Sequence, residues 1–582
     1  FRTAHFFRGL LCLLIATLVS HGEEASAVEI GKKDWWQTTV FYQIYPRSYK
    51  DSDNDGIGDL NGIRNNLQHF VNAGIGAVWL SPIFKSPMVD FGYDISDYRQ
   101  IDPTYGTMQD FENLVAKAHD LGLKVILDFV PNHCSNESDY FKLSLNKTEG
   151  YEDFFIWDDG LLDPTDNKTR LPPSNWVSQF QGSAWEWNEQ RGQYYLHQFS
   201  VSQVDFNFRN PKVLAELKSI MTFYLDKGVD GFRIDALPYL VEASKEENGG
   251  KYPDDPLSGA PGFGPNELGY TIPIYSKDLD ETYDIVYDWR TFLDDYAKKD
   301  GVTRVMMTEG YANITRTMKY YGTGKRDGSN FPFNFDLITN VNGKSSGRDM
   351  VYTLLRWLTY LPVNKTANWV LGNHDNLRMA SRFGPQYVDG LNMLDMILPG
   401  VAITYQGDEI GMPDGYVSYK DTVDVSGCTA GPDDYTKFSR DPARTPFQWN
   451  NSTNAGFSNA TKTWLPVGQS YTTLNLDAQM AAPKSHFKVF QKMVQARKEP
   501  TLQDGDWNIK PLSDAVFVVL RTLQNYDSYA LVFNFGSGNE TADLSQFTQL
   551  ANNVTVYAST ILIKIHNIIE CLLFIFQINA QR

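Results

Sequence analysis

Val229-Asp230-Gly231-Phe232-Arg233-Ile234-Asp235-Ala236 is the stretch on which the reading of this chain turns. Val229, Phe232 and Ile234 are apolar, and Gly231 removes a side chain where something packs closely, so the run reads as a short buried strand. It ends in Arg233 and Asp235. Charges at the end of an apolar strand are costly unless they are paired and used. A structural ion pair would look the same from this stretch alone, so what the neighbouring strands carry has to separate the two.

Outward from it the pattern repeats. Strands are expected at Val40–Pro46, Ala77–Pro82, Lys124–Val130, Arg304–Glu309, Phe331–Phe335, Ala367–Leu371 and Val401–Gln406. Helices are expected at Leu60–Ala73, Phe111–Leu121 and Pro211–Asp226, each with an apolar stripe. Strands alternating with helices imply βαβ units and a parallel sheet, and about eight such strands predict an α/β fold, a (β/α)8 TIM barrel. A doubly wound open sheet would need a Gly-rich turn after an early strand, and there is none. From Pro131 to about Asp205 the alternation stops and no helical period appears, so this segment reads as an inserted small domain. From about Thr501 the pattern is strand-like only (Ala515–Thr522, Tyr529–Phe535), which predicts a C-terminal antiparallel β-sandwich.

The resulting division is 1–27 leader, 28–131 first part of the barrel, 132–205 inserted domain, 206–500 second part of the barrel, 501–560 C-terminal β domain and 561–582 apolar tail. The leader has Arg2 and Arg8, an apolar run from Leu10 to Val19 and Ala25-Ser26-Ala27, the pattern of a cleaved secretory signal. Ten N-x-S/T sequons follow, at Asn136, Asn146, Asn167, Asn313, Asn364, Asn450, Asn451, Asn459, Asn539 and Asn553. So many behind a leader predict an extracellular glycoprotein. The tail carries Lys564, His566 and Glu570 within an apolar run, and reads either as a lipid-anchor signal or as a mis-assigned end. Only Cys134 and Cys428 lie in the body, without CxxC spacing, which argues against zinc or redox chemistry and leaves their pairing open.

The net charge of −18 argues against nucleic acid and anionic membranes as partners. Aromatic residues at 14% fit a sugar site and a large aromatic core equally well.

Polar residues at barrel strand ends face the active site. Strand three ends in Asp128-Phe129-Val130-Pro131-Asn132-His133, strand four in Arg233 and Asp235, strand five in Glu309, and strand seven in Gly372-Asn373-His374-Asp375. Carboxylates and imidazoles stand on four strand ends, and the like-charged carboxylates would repel one another in a partly dry pocket, which a purely structural role does not explain.

These segments (DFVPNH 128–133, GFRIDA 231–236, TEG 308–310, GNHD 372–375) resemble glycoside hydrolase family 13, the α-amylase family, in its order and over about residues 34–535. QVDFN (203–207), YQGDEIGM (405–412) and SRDPARTPFQW (439–449) resemble its oligo-1,6-glucosidase and maltase branch, nearest the insect maltases. QVDFN departs from that branch's QPDLN.

The resemblance implies an α-glucosidase, exo-acting and retaining, that hydrolyses maltose, sucrose-like sugars and short α-glucosides. It implies Asp235 as nucleophile, Glu309 as acid/base and Asp375 as transition-state stabiliser. His133 and His374 are implied to bond sugar hydroxyls, Asp90 and Tyr93 to clamp the non-reducing end, and Arg440 and Arg444 to line the pocket. Arg233 points to the same side of its strand as Asp235 and is expected to keep it ionised. Glu309 follows an apolar strand and is expected to titrate high. Ala236, where branch members with α-1,6 preference carry Val, implies α-1,4 preference.

Asp51-Ser52-Asp53-Asn54-Asp55-Gly56-Ile57-Gly58-Asp59 has oxygens at positions 1, 3, 5, 7 (the Ile57 carbonyl) and 9 of an EF-hand-like loop, predicting Ca2+. Gly62 stands at the twelfth position, where an EF-hand has Glu. The resemblance implies a second Ca2+ at Asn132, Asp205, Glu242 and the carbonyls of Tyr239 and Leu240. Both ions are expected to be structural. Three rival readings are an endo-acting α-amylase, a catalytically silent heavy subunit of an amino-acid transporter, and a cell-surface glycoprotein used as a receptor, which can coexist with activity. The second loses catalytic carboxylates, and all three are present here.

Overall fold

The computed structural model describes residues 33–536, 538, 540, 555–559 and 573–578. The leader 1–27, Cys12, Cys571, Asn539, Asn553 and the remainder of the tail lie outside these residues.

Eight parallel strands form one sheet: β1 (Val40–Ile44), β2 (Ala77–Leu80), β3 (Lys124–Phe129), β4 (Gly231–Ile234), β5 (Val305–Thr308), β6 (Phe331–Pro332), β7 (Asn368–Val370) and β8 (Val401–Tyr405). Neighbours follow chain order, and β1 pairs with β8 through Val40↔Ala402. Between β6 and β7 a side chain takes the place of the ladder. Asn368 Nδ2 donates to Pro332 O at 2.6 Å, and its Oδ1 accepts from Asn334 N at 2.8 Å. The strands are buried on both faces and are therefore apolar almost throughout. Gly231 is required where β4 meets β5, because a Cβ there would lie 2.2 Å from Val305 O.

Around the sheet stand α1 (Met108–Asp120), α2 (Pro211–Leu225), α3 (Glu281–Ala297), α4 (Ile314–Lys319), α5 (Gly347–Tyr360), α6 (Val388–Ile397) and α7 (His486–Ala496). Thr107 and Asp110 close a capping box on α1, and Asn210 with Pro211 starts α2. The single helix expected over Leu60–Ala73 is two, Leu60–Asn65 and Leu67–Ala73. Asn66 breaks it, its Nδ2 donating to Gly62 O at 2.8 Å, the local competition an Asn side chain offers.

The segment after β3 contains short antiparallel pieces and its own small core of Trp176, Trp185, Tyr194 and Leu196. Gln203–Asp205 pairs with His133–Ser135, bringing the far end of the insertion back to the strand-three terminus. One short helix, Asp139–Leu145, capped by Ser138, interrupts the irregular stretch and is too brief to show a period.

The C-terminal domain is antiparallel, and among the described residues it is one sheet. Its strands β9 (Asp506–Pro511), β10 (Val516–Thr522), β11 (Ser528–Asn534), β12 (Thr555–Ser559) and β13 (Leu573–Ile578) lie in the order β9-β10-β11-β13-β12. It packs on α5, α6 and α7. Buried Arg521 ties it to the barrel by donating to Ile397 O at 2.8 Å. The tail, which looks foreign in sequence, therefore supplies a strand between β11 and β12. Cys134, buried, and Cys428, exposed, are separate free thiols.

Candidate active site

The register sets the site. Arg233 on β4 lies opposite Asp128 on β3 and Met307 on β5, and Ile234 lies opposite Thr308. One step further, Asp235 and Glu309 emerge side by side. Asp235 N donates to Phe129 O at 2.9 Å and Glu309 N to Ile234 O at 2.8 Å. Arg233, buried, pairs with Asp128 at 2.9 Å and with Asp235, and its second amino group lies 3.9 Å from Glu309 Oε2.

Burial pushes the Asp235 and Glu309 carboxyls up, against the pull of Arg233; Glu309 adds to the rise at Asp235, and Asp375 and Asp128 add to the rise at Glu309. Arg233, expected to keep Asp235 ionised, does lower it, but burial acts against that pull. The arginine is shared with Asp128, so its effect is divided. Asp375 goes the other way. Burial would raise it, but His374, Arg440 and Arg444 together hold it well below the usual range. Burial lowers His374 to about 3, so at neutral pH the two arginines carry this effect.

His374 is stacked between Tyr93 (5.4 Å) and Tyr45 (5.6 Å). Its Nδ1 lies 2.8 Å from Gln43 Nε2 and its Nε2 lies 2.7 Å from Tyr93 Oη. The Gln43 amide nitrogen can only donate, so the ring proton is on Nε2, and the Tyr93 hydroxyl donates in turn to Asp128 Oδ2 at 3.2 Å. Both ring nitrogens of His374 are thus bonded within the protein, and its ring makes a rigid floor. Burial lowers His133 to about 4; its Nε2 lies 3.0 Å from Tyr93 O.

Asp90 meets Arg440 at 2.7 Å, and Arg440 is also bonded to Asp424 and lies 3.4 Å from Asp375. Arg444 donates to His374 O at 2.8 Å and to Asp375 at 3.1 Å. Asp90, Asp375 and Arg440 stand in the wall of a cavity of about 240 Å³. Asp235, Glu309, Asp375, Asp90, Tyr93, His133, His374 and Arg440 all line it. Arg233 and Arg444 stand behind the wall.

Sequence reasoning did not single out Asp424, which orients Arg440, nor Phe180, which lies under the Arg440 guanidinium at 5.2 Å. Neither stands in a motif. Gln203 was visible only inside QVDFN; it donates to Asp90 Oδ2 at 3.2 Å. Tyr311, two residues after Glu309, lines the cavity and stacks on Phe335 at 4.4 Å.

Away from the cavity, carboxylate oxygens of Asp51, Asp53 and Asp59 lie within 4.8 Å of one another. Burial and the neighbouring acids raise Asp53 and Asp55. None of the three clustered acids has an ion pair among the described residues, so their convergence fits a hard cation. The Asp55 carboxylate accepts from Ile57 N at 2.7 Å and stands outside this trio. At the second position, Asn132 Oδ1 and Asp205 Oδ2 are buried without a hydrogen-bond partner, the state a cation would relieve. Glu242 is engaged by Arg209 at 2.9 Å, and Tyr239 O accepts from Gln198 at 3.0 Å. Leu240 follows in the same turn. The donor set there fits only in part.

A parallel barrel with acids on neighbouring strand ends lining one cavity fits the two-carboxylate chemistry of glycoside hydrolases. The comparisons narrow this. Residues 43–505 match the α-amylase catalytic domain. Maltase 1 of Drosophila virilis is 51% identical, over 90% of this chain and 82% of its own. A salivary α-glucosidase of Anopheles gambiae is 49% identical, over 93% and 91%. The solved structure of the α-glucosyl transfer enzyme XgtA superposes with a TM-score of 0.81 at 30% identity, over 94% of this chain and all of that one. The chain belongs to the α-amylase family, in the branch of the insect maltases and α-glucosidases.

Proposed function

We propose that this protein is a secreted, exo-acting, retaining α-glucosidase that removes terminal glucose from maltose, sucrose-like sugars and short α-glucosides. The observation that carries it is the pairing of Asp235 and Glu309 on adjacent strand ends at one register level, in a cavity whose wall also holds the Asp90–Arg440 ion pair. Adjacent strands lie about 4.8 Å apart. That suits the carboxyl separation of about 5–5.5 Å in retaining enzymes, where no water fits between the acid and the anomeric carbon.

Asp235 attacks the anomeric carbon and Glu309 protonates the departing oxygen; Glu309 then takes a proton from the water that releases glucose. Protonating the departing oxygen requires one proton on the pair. It belongs on Glu309, because Asp235 is in contact with the Arg233 guanidinium whereas Glu309 is 3.9 Å from it. Asp375, held ionised, faces the positive charge that develops on the ring. Asp90 and Arg440 bind the non-reducing end. The Asp90–Arg440 ion pair in the cavity wall supports exo action over the endo-acting reading.

Ca2+ at Asp51, Asp53 and Asp59 would brace the β1 loop, with a second ion at Asn132 and Asp205; each would be structural. The leader pattern and the salivary relatives support secretion. Among the described residues no helix is long and apolar enough to cross a membrane. Lipid anchoring and lipid-free secretion are separated by mass analysis of the mature C-terminus.

The test is Asp235→Asn on a substrate panel. The variant should lose on the order of four decades of kcat, since removing a covalent nucleophile leaves only binding and electrostatics. p-Nitrophenyl α-glucoside should be a far better substrate than starch. Near-full activity of the variant, or a preference for starch, would reject the proposal.

A further inference from the structure

The geometry points to Asn313 as an occupied N-glycan site whose first sugars stand at the lip of the active site and select against long chains. The inference rests on the secretory reading above. Asn313-Ile314-Thr315 is a sequon that also starts α4. Asn313 is exposed, and its Oδ1 accepts from Arg316 N at 3.1 Å and from Thr315 Oγ1 at 2.7 Å. Its Nδ2 has no partner among the described residues. The oxygen is therefore committed to the helix, while the nitrogen that would carry sugar is free, so a glycan costs the fold no hydrogen bond. Asn146 and Asn450 share this division, their Oδ1 atoms accepting from Gln190 Nε2 at 2.8 Å and from Ser452 N at 3.0 Å, so it is location that sets Asn313 apart. Asn459 spends its Nδ2 on Asn54 Oδ1 at 3.0 Å, and half-buried Asn450 is packed against Gly456.

Location gives the glycan its consequence. Asn313 lines a cavity of about 340 Å³ that shares Tyr311 with the catalytic cavity. Tyr311 is 41% exposed, so the two open beside each other at the surface. A sugar on Asn313 Nδ2 occupies the mouth on the side of Glu309, where the leaving part of a long substrate must extend. In the transfer, Nδ2 displaces the pyrophosphate of a lipid-linked oligosaccharide. The anomeric C–N bond forms as the sugar–phosphate C–O bond breaks, Nδ2 loses a proton, and the lipid pyrophosphate leaves.

The test is glycopeptide mass spectrometry on protein secreted from insect cells, beside Asn313→Asp. Aspartate keeps the helix cap and cannot carry an N-glycan. The Asn313 peptide should carry a glycan in the wild type. In Asn313→Asp, maltose turnover should be unchanged, and the rate on a long maltooligosaccharide relative to maltose should rise by on the order of twofold or more as the clash is removed. Glycans on other sequons with Asn313 bare would overturn this inference alone. No glycan on any sequon would overturn the secretory reading and this inference with it. An occupied Asn313 with an unchanged substrate ratio would overturn the steric role.

Discussion

The backbone N–H of Ala236 donates to Glu309 Oε2 at 2.8 Å. The residue that follows the proposed nucleophile thus orients the proposed acid, so the two carboxylates are set by one peptide unit. Ala236 holds that position at φ 52, in the left-handed region that residues other than glycine rarely adopt.

Ala236 therefore couples linkage preference to backbone strain. Ala236→Val should shift the maltose-to-isomaltose rate ratio toward isomaltose. It should also lower stability by about 1–2 kcal/mol, since a β-branched residue is poorly tolerated at positive φ. Thermal unfolding and a two-substrate assay check both, and an unshifted ratio would remove Ala236 from the specificity argument.

Glu309→Gln separates acid catalysis from binding. The variant should lose about two to four decades of kcat on maltose, whose leaving group needs a proton. It should lose far less on dinitrophenyl α-glucoside in the glucosyl-transfer step. The wild-type pH profile should be bell-shaped: the acid limb follows protonation of the pair, and the basic limb follows loss of the Glu309 proton, above the ordinary range for Glu because burial raises it. The basic limb should vanish in Glu309→Gln; its persistence would assign the proton elsewhere.

Chelation should lower Tm and leave the turnover of still-folded enzyme unchanged at low temperature. A structural ion present at a hundredfold its Kd contributes about 2.7 kcal/mol. Ca2+ should restore Tm where Mg2+ does not, because a loop of this kind offers too many oxygens for a strict octahedron. Asp53→Asn should blunt the effect. A Tm indifferent to chelator in the wild type would mean the loop needs no ion.

Asp230 at the base of β4 accepts from His119 at 2.7 Å, Lys124 at 2.8 Å and Val125 N at 2.9 Å. Burial alone would raise its pKa, but these donors outweigh it and hold the carboxyl below its unfolded value. Its contribution is therefore present above the unfolded pKa of about 3.9 and lost as pH falls through the folded one. Asp230→Asn should cost about 1–3 kcal/mol near neutral pH. The gap from wild type should narrow below about pH 4. A gap independent of pH would mean the charge contributes nothing.

Asn368 tests the barrel seam. Asn368→Ala leaves the buried Asn334 N–H and one acceptor site on Pro332 O without a partner, so it should cost about 1–3 kcal/mol in denaturant unfolding. Wild-type stability would show that the seam closes by packing alone.

What the sequence determined by itself is the succession of elements and the identity of the acids. Short apolar strands alternating with amphipathic helices admit few topologies, and polar residues at the ends of such strands converge wherever the sheet closes on itself. What only the tertiary structure decided is how those groups share protons and partners. Arg233 divides its charge among three acids, Asp424 orients Arg440 across sixteen positions, and the tail strand Leu573–Ile578 enters the last sheet between strands that precede it. Local patterning is dictated by which residues can be buried at each step along the chain. Desolvation and charge pairing depend on distances between residues far apart in it, and those exist only once the barrel has formed.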